Sequence, residues 1–361
     1  MKKTISLTLV LALCMVAKVA KADFTFGEPI NLGPTVNSSA GDNAPYISAD
    51  GLALYFHSVR PGGYGDKDLW VTTRPTTNDI WTEPVNLGPT VNSSADDNAP
   101  CISADGLALY FDSTRPGGYG EGDMWVTTRL TTNDPWTEPV NLGPTVNSSD
   151  GEGRPCISSD GLSLYFNSPR FGGFGYSDLY MTTRVTVEDE WGPPANLGPT
   201  VNAPNNDITP RISADGRLLF FTSSDRPGGF GLTDIWVTRR ETINDDWGTP
   251  VNLGPNVNSS AKEPGLGIST DGRTIYFYSD RPGGVGGFDI WQAPIIPIVD
   301  LNGDGIVDAA DMCIVVDHWG TDNQLCDIGP MPWGDGIVDV QDLVVLAEHL
   351  FEEIPPAGPG R

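Results

Sequence analysis

The residues whose types and spacing point most directly to chemistry lie near the C-terminus, between Asp300 and Asp311. The backbone carbonyl of Ile306 falls at position 7 of this stretch, and Gly305 at position 6 allows a sharp turn. Calcium prefers oxygen ligands of these kinds. The spacing therefore predicts a calcium loop, and apolar groups at helical spacing from Asp311 to Trp319 predict a helix after it. Side-chain oxygens stand at positions 1, 3, 5, 9 and 12: Asp300, Asn302, Asp304, Asp308 and Asp311.

A second, degraded copy of this pattern occupies residues 333–342 and precedes a predicted helix from Leu343 to Phe351. Met331 and Trp333 stand where the first two acids belong. Two alternatives stay open. Either Asp327 loops in as a substitute ligand, or the second loop binds calcium weakly or not at all and is held by packing around Trp333. The acids that match positions 5, 9 and 12 are Asp335, Asp339 and Asp342.

The first loop resembles the EF-hand calcium loop, with Asp in place of the usual final Glu. Together the two loop-helix units, about residues 300–353, resemble a type I dockerin. This resemblance implies a calcium-folded module that docks onto a cohesin domain, usually of an extracellular polysaccharide-degrading assembly. Two cysteines of this module, Cys313 and Cys326, lie close enough in sequence to pair as a disulfide. The partner-reading positions of the family fall on Ala309, Ala310, Val340 and Gln341.

The rest of the chain is built from one unit repeated five times. Each unit contains short β segments, an Asp-Gly turn and a Gly-rich loop, which is typical of a four-stranded propeller blade. A motif Trp-x-x-Pro-x-Asn-Leu-Gly ends the first four units, is missing from the fifth, and returns at the front of the chain in Phe26–Gly33. The N-terminal strand is therefore expected to pair into the last blade and close a ring of five. The Asp-Gly turns begin at Asp50, Asp105, Asp160, Asp215 and Asp271.

The repeat is best preserved at Ser269–Phe277 and Ser279–Trp291, and it resembles the TolB-like, WD-type propeller repeat of bacterial envelope proteins. The resemblance covers about residues 24–293. It implies an all-β fold, a single five-bladed β-propeller, to which the small α-helical module is added. It implies little about function, because propellers serve binding, scaffolding and catalysis alike.

The N-terminal segment and the net charge indicate export. Lys2 and Lys3 precede an apolar run from Ile5 to Ala17, and a small-residue cleavage site follows, so residues 1–22 are predicted to be a signal peptide. The run is shorter than the roughly 20 residues of a membrane span, so no transmembrane anchor is expected. Without the four lysines of this segment the chain has 17 basic and 47 acidic residues, a net charge of −30. Such a surface repels nucleic acid and anionic lipid.

These observations divide the chain into a signal peptide (1–22), a propeller (23–293), a linker (294–299), the dockerin-like module (300–353) and a Pro/Gly-rich tail (354–361) that is predicted to be disordered. The expected location is secreted, with the periplasm or the cell surface as alternatives.

A recurring carboxylate precedes each inner strand, and inner strands line the axis of a propeller. Five such carboxylates are expected to ring one mouth of the axial channel, where they could bind a cation or a polyol. Alternatively, and preferred here, each caps the backbone N–H groups of its own turn. Two arginines, Arg154 and Arg211, break the fivefold symmetry near this mouth and are predicted ligand contacts. The ring consists of Asp42, Asp97, Glu152, Asp207 and Glu263.

Other repeated positions carry simpler expectations. A recurring arginine, as at Arg60, is expected to pair with a recurring aspartate, as at Asp68. Cys101 and Cys156 occupy the same place in adjacent blades, and either a disulfide or two buried thiols fits the sequence. One aromatic position of the Gly-rich loops could stack on a sugar or pack its own loop: Tyr64, Tyr119, Phe174 and Phe230, with Val285 in the fifth unit.

Three functional hypotheses follow. The first is a secreted, non-catalytic binding or scaffold propeller, with a polysaccharide or protein ligand, that its calcium-dependent module attaches to a larger assembly. The second is a glycosidase that uses two ring carboxylates, among them Glu152 or Glu263, as acid and base or nucleophile. The third is a structural protein of the cell envelope. Near-identical repeats give their carboxylates similar environments, which disfavours the second hypothesis.

Overall fold

The computed structural model describes residues 24–302, 305–321, 323, 326–329 and 337–352. The predicted signal peptide, the predicted tail from residue 354 onwards, and the candidate ligands Asp304 and Asp335 lie outside these residues. The described chain forms five antiparallel sheets, one for each sequence repeat, and two short helices. The inner strands of neighbouring sheets contact one another in a closed circle. The predicted all-β, five-bladed propeller is confirmed.

Strands β1 (Phe24–Phe26) and β2 (Ile30–Asn31) begin the described chain. The first four blades then follow, each with an inner strand, two middle strands and a two-residue outer strand. They are β3 (Asp42–Ile47), β4 (Ala53–Ser58), β5 (Asp68–Thr73) and β6 (Val85–Asn86); β7 (Asp97–Ile102), β8 (Ala108–Ser113), β9 (Asp123–Thr128) and β10 (Val140–Asn141); β11 (Gly153–Ile157), β12 (Ser163–Ser168), β13 (Asp178–Thr183) and β14 (Ala195–Asn196); β15 (Asp207–Ile212), β16 (Leu218–Ser224), β17 (Thr233–Arg239) and β18 (Val251–Asn252).

The fifth blade combines both ends of the propeller. Its own strands are β19 (Gly265–Ile268), β20 (Thr274–Ser279) and β21 (Asp289–Pro297). Both β1 and β2 pair antiparallel with β21, with Phe26 opposite Ile295 and Asn31 opposite Trp291. The Asn31 side chain donates to Asp289 Oδ2 at 2.9 Å, as Asn86 of β6 donates to Asp68 in the first blade. Strand β2 thus pairs with β21 in the way that the outer strand of each other blade pairs with the third strand of that blade.

The apolar core lies between the blades rather than at one centre. The second strand of each blade carries a run of buried apolar side chains, such as Leu54 and Phe56 of β4, both fully buried. In the first blade these pack against Trp70 of the same blade and Tyr276 of the fifth. Such two-sided burial explains why the middle strands read as continuous apolar runs rather than as alternating ones.

Each of the first four inner strands contains a β-bulge just before its proline. In β3 the register shifts between Asn43 and Tyr46, and Ala44 has a φ of 50°. Left-handed backbone is uncommon outside glycine, and here it coincides with the irregularity of each bulge. The same conformation recurs at Ala99, Arg154 and Thr209.

The C-terminal part contains α1 (Ala309–Asp317) and α2 (Val340–Glu348). Each helix begins two or three residues earlier than predicted, because Asp308 and Asp339 act as N-caps in capping boxes with the aspartate three residues later. Among the described residues, no helix is long and apolar enough to cross a membrane. The two helices share a small core with Val299, Val307, Val338 and Cys326.

Candidate functional site

The five ring carboxylates are paired with the recurring arginines of their own blades. Asp42 is fully buried, and its Oδ1 lies 2.5 Å from Arg60 Nη2. Its Oδ2 accepts hydrogen bonds from the Ser38 backbone N–H at 2.6 Å and from the Ser38 hydroxyl at 2.9 Å. Both carboxylate oxygens are therefore occupied. The other pairs are Arg115–Asp97 at 2.5 Å, Arg170–Glu152 at 2.8 Å, Arg226–Asp207 at 3.0 Å and Arg281–Glu263 at 2.9 Å.

This arrangement agrees with the preferred alternative for the five carboxylates, in which each accepts a backbone N–H group of its own turn, and it corrects two other expectations. The five carboxylates do not present their oxygens to the axial channel, because each side chain is at most 3% exposed and bonded within its own blade. The arginine does not pair with the later aspartate either. Asp68 instead accepts the backbone N–H groups of Tyr64 at 2.5 Å and Gly65 at 3.0 Å, so it holds the Gly-rich loop without a cation. The guanidinium of Arg60 lies over Phe56 and Trp70, about 5 Å from each ring, and ties the ion pair to the blade core.

The axis itself is filled by one residue from each inner strand. Arg211 crosses the axis, only 2% exposed, with its guanidinium 5.1 Å from the centroid of the Tyr46 ring. It is therefore not the ligand contact at the mouth that the sequence predicted. Gly267 fills the fifth place, where an added Cβ would lie 2.7 Å from the Pro45 carbonyl oxygen. Cys101 and Cys156 complete the set, both fully buried and both free thiols.

A second circle, made of one side chain from the second strand of each blade, joins three of the blades to the next. The Ala99 N–H donates to His57 Nδ1 at 3.2 Å, and the Arg154 N–H donates to Asp112 Oδ1 at 2.9 Å. Both donors are residues of the inner-strand bulges whose backbone has the left-handed conformation. Arg154 is half-buried, and its backbone rather than its side chain makes the contact with Asp112. The circle consists of His57, Asp112, Asn167, Thr222 and Tyr278.

Burial shapes the protonation of this second circle. It lowers the pKa of His57 to about 3, and the charges of Lys67 and Arg154 contribute, so the imidazole is neutral at pH 7. Burial raises the pKa of Asp112, an effect that the Arg154 hydrogen bond partly offsets. Asp112 is the one carboxylate among the five positions of this circle. A two-carboxylate hydrolysis would need a second acid beside it.

The Gly-rich loops between the middle strands present an exposed aromatic rim. Asp42, Ser58 and Asp68 are aligned in register, so these loops lie on the face where the inner strands begin. The side chain at the repeated aromatic position is about half exposed in every blade. Blade three adds Phe171 and Tyr176, which are 102% and 75% exposed. The exposed fractions at the repeated position are 51% for Tyr64, 52% for Tyr119, 48% for Phe174, 50% for Phe230 and 41% for Val285.

The opposite face carries a groove of about 460 Å³ between blades one and two. Its walls include Tyr55, Asp105, Arg129 and Trp136. Arg129 stacks on Trp136 at 4.3 Å and donates to the Gly106 carbonyl at 2.8 Å. The same stack recurs in three other blades, so we interpret these walls as part of the blade architecture: Arg74–Trp81, Arg184–Trp191 and Arg240–Trp247.

The C-terminal loops repeat one geometry. Asp311 Oδ1 accepts the N–H groups of Leu301 at 2.7 Å and Asn302 at 3.1 Å. Asp342 Oδ1 accepts the N–H groups of Ile328 at 2.5 Å and Gly329 at 2.7 Å. The residue before each first donor is an aspartate, Asp300 in one loop and Asp327 in the other. Asp327 thus precedes the first donor of the second loop as Asp300 does in the first, and both alternatives for its role as a ligand stay predictions.

These loops supply oxygen donors, which suits calcium. Asp300, Asp308 and Asp311 share one loop, and the acid Asp304 between them lies outside the described residues, as does Asp335 of the second loop. Within the described ranges no group of three His, Cys, Asp or Glu side chains is arranged to hold a metal ion. Calcium stays a prediction here. The four predicted partner-reading residues, Ala309, Ala310, Val340 and Gln341, are all exposed at the helix starts.

The predicted disulfide of this part of the chain is not formed. Cys313 is exposed on α1, whereas Cys326 is buried and its thiol contacts the Ile314 carbonyl at 3.9 Å. The two side chains have opposite environments because helix α1 turns Cys313 to solvent while Cys326 packs into the small core with Val315.

Comparison with known proteins gives similarities at the level of solved structures. No protein-family model matches the chain, and no curated protein matches it. TolB from Acinetobacter baumannii is 16% identical over 71% of this chain and 54% of its own, with a TM-score of 0.45. This chain thus spans about half of that TolB. A thermostable family-43 glycoside hydrolase is 13% identical over 72% of this chain and 90% of its own, with a TM-score of 0.49.

An α-L-arabinofuranosidase from Podospora anserina, solved in complex with cellotriose, is 14% identical. The match covers 76% of this chain and 96% of the arabinofuranosidase, with a TM-score of 0.47. At these identities and TM-scores the similarities assign neither a family nor an activity.

Proposed function

We propose that this chain is an exported, non-catalytic binding propeller, and that its C-terminal part is a calcium-dependent, dockerin-like module that attaches it to a larger extracellular assembly. One observation carries the first half of the proposal. The five carboxylates that could have supplied acid and base are buried in ion pairs, whereas the loops beside them expose an apolar side chain in every blade.

The aromatic rim (Tyr64, Tyr119, Phe174 and Phe230) is the proposed binding surface. A half-exposed ring at the same place in four blades offers flat apolar faces at regular intervals around the axis. Aromatic rings with one face free suit ligands that carry apolar C–H faces and hydroxyl groups together, such as the sugar units of a polysaccharide. The loops that present them are firmly held, because a buried aspartate accepts two N–H groups in each loop.

The C-terminal part supports attachment through its repeated loop geometry. When calcium is bound, it would supply the charge that holds several carboxylates of one loop together. In the first loop the ligands would be the side chains of Asp300, Asn302, Asp304, Asp308 and Asp311 with the Ile306 carbonyl; in the second, Asp327 joins Asp335, Asp339 and Asp342. The exposed start of each helix would then face a cohesin-type partner.

The binding proposal is tested with residues 23–361 and a panel of neutral plant and algal polysaccharides. Affinity electrophoresis measures retention, and a reducing-end assay measures cleavage. We expect retention without new reducing ends. Changing all four rim aromatics to Ala should abolish retention. A matched variant on the opposite face, Val185→Ala with Leu130→Ala, should retain it, since both residues are also exposed.

Each result decides between the hypotheses. New reducing ends that persist in Glu152→Gln and Glu263→Gln but disappear in Asp112→Asn would replace the proposal with catalysis at the axis. Neither retention nor cleavage would refute the binding role of the rim and favour a structural envelope protein.

The attachment proposal has its own test. Calcium titration by calorimetry should show binding that Asp311→Asn weakens, and chelation should abolish any capture by immobilised cohesin domains. Calcium binding without capture by cohesins would refute docking and leave the metal site standing.

A further inference from the structure

Blade three differs from the other blades in the Gly-rich loop that it contributes to the rim. The proline that follows the recurring arginine in the four other blades is replaced there by Phe171, whose side chain is fully exposed. Two residues beyond the repeated aromatic stands Tyr176, which is also largely exposed, whereas blades one and two carry Asp66 and Glu121 at that place. With Phe174, this one loop presents three exposed rings. A concentration of exposed aromatic surface of this kind marks an interaction site.

Backbone hydrogen bonds fix this loop against the segment that leads into blade four. The Tyr176 N–H donates to the Asn205 carbonyl at 3.1 Å, and the Asp207 N–H donates to the Ser177 carbonyl at 2.8 Å. Ser177 also forms a parallel β-bridge with Asn206. The aromatic loop and the two asparagines therefore lie at one seam between blades three and four.

This seam is uncharged on its surface, although the chain as a whole is strongly acidic. The charged residues of its two segments are Arg170, Asp178 and Asp207. Arg170 is ion-paired, and both aspartates are buried and hydrogen-bonded. Other seams of the ring carry charged side chains at the equivalent places: Lys67 and Asp96 between blades one and two, and Glu121 and Asp150 between blades two and three.

The amide side chains of Asn205 and Asn206 add hydrogen-bonding groups to the seam. Both residues use only backbone groups in the bonds that they form with the described residues, so both amides are free for a ligand. An amide donates and accepts hydrogen bonds without carrying a charge. Aromatic rings pack on C–H faces and amides bond hydroxyl groups, so together they match the face and the edge of a sugar ring. A carboxylated chain would find no unpaired cation in the two segments.

We propose that the three–four seam, formed by Phe171, Phe174, Tyr176, Asn205 and Asn206, is the principal ligand site of the rim, and that its ligand is an uncharged polysaccharide chain. This inference rests on the binding function proposed above and narrows it to one sector and one class of ligand. The sugar rings stack on the aromatic side chains, and their hydroxyl groups bond to the two amides. The chain therefore binds to one side of the propeller axis.

The first test measures retention of residues 23–361 by affinity electrophoresis on neutral polysaccharides and on carboxymethylated samples of the same polysaccharides. The paired probes isolate the effect of ligand charge. We expect the neutral probe to bind at least about tenfold more tightly, because the acidic surface around the seam repels the charged one. Added salt should reduce the difference, since it screens this repulsion.

The second test exchanges residues between blades. Phe171→Pro with Tyr176→Asp gives blade three the residues of blade one at both places and should weaken retention by about tenfold or more. Tyr64→Ala with Tyr119→Ala removes two rings from blades one and two and should weaken it by only about threefold. Asn206→Asp, the residue that blade two carries at this place, adds a charge and should weaken retention by about tenfold.

The opposite-face variant Val185→Ala with Leu130→Ala is the control and should bind as the unchanged chain does. Equal losses in the two double variants of the rim would overturn the seam as principal site and leave the rim as a binding surface. Equal or tighter binding of the charged probe would overturn the uncharged ligand. Retention on neither probe would refute the proposed function and the seam with it. If Phe171→Pro does not fold, Asn206→Asp and the paired probes still decide.

Discussion

The carboxylate–arginine pairs and the five axial residues lie a few residues apart in every blade, yet the pairs recur in all five blades whereas the axial position carries four different residue types. Each blade must anchor its own Gly-rich loop and the entry to its inner strand, and a buried ion pair such as Arg115–Asp97 does this in each, with Glu in place of Asp in blades three and five. The axis is a single place that five residues share. Five copies of Tyr46 or Arg211 could not fill it, so the axial residues differ: Tyr46, Cys101, Cys156, Arg211 and Gly267. The residues that recur in every blade stabilise each blade separately, whereas the residues that differ between blades fill one shared place on the axis.

The largest expected effect comes from breaking one repeated pair. Arg115→Met leaves the carboxylate of Asp97 buried and unpaired, which should lower the free energy of unfolding by about 3–5 kcal/mol. Arg226→Met should cost a similar amount, because the pair is equivalent. Urea denaturation followed by tryptophan fluorescence measures both.

The matched control breaks an exposed pair, Lys67–Asp96, whose side chains are 40% and 28% exposed. Lys67→Met should change the free energy of unfolding by less than about 1 kcal/mol. Equal losses in Arg115→Met and Lys67→Met would contradict the structural role given to the repeated pairs.

A smaller effect is expected at the axis. Gly267→Ala places a methyl group 2.7 Å from the Pro45 carbonyl oxygen, which belongs to the backbone and cannot rotate away. The overpacking should lower the free energy of unfolding by about 1–3 kcal/mol. Gly287→Ala, in the Gly-rich loop of the same blade with open space at its Cβ, is the control. No difference in melting temperature between the two variants would mean that the axis is not closely packed.

The second circle should make stability depend on pH. Because the folded pKa of His57 is lowered to about 3, the unfolded chain binds more protons between that value and the ordinary histidine pKa of about 6.5. His57 therefore contributes stability above pH about 6.5 that is lost as the pH falls towards 3. His57→Asn, the residue that blade three uses at this place, should remove this loss, which reaches on the order of 2 kcal/mol by about pH 5.

Urea denaturation at pH values across this window measures the effect, and His349→Asn, at the C-cap of α2, is the control. A pH profile that His57→Asn leaves unchanged would show that the imidazole is solvated in the folded protein.

The smallest effect on stability is expected at the aromatic rim. Tyr64 is half exposed and lies outside the buried blade cores, so Tyr64→Ala should change the free energy of unfolding by no more than about 0.5 kcal/mol. Thermal unfolding checks this. A loss as large as that of Gly267→Ala would mean that the ring packs its own loop and is not held out for a ligand.

Much of the fold could be predicted because the sequence repeats at a nearly constant spacing. The spacing of the Asp-Gly turns fixed the number of blades, and the misplaced outer-strand motif at Phe26–Gly33 indicated where the N-terminal strand belongs. The partners of the repeated charges could not be predicted in the same way. Arg60 lies nearer in sequence to Asp68 than to Asp42, but the antiparallel register aligns Asp42 and Asp68 at the same end of the sheet, and only the packing of the guanidinium on Phe56 and Trp70 selects Asp42.

The propeller architecture could be predicted from the sequence, because strand period, turn residues and repeat spacing are local properties of the chain. The sequence also marked the oxygen-rich loops from Asp300 to Asp311, since ligand spacing is local as well. Which side chains meet across blades depends on the tertiary structure: Arg211 lies over the Tyr46 ring, and the Cys101 sulfur contacts the backbone next to Cys156. These residues are far apart in the chain and meet only because the ring of blades closes. The number of residues between them in the sequence does not give their distance in the folded protein.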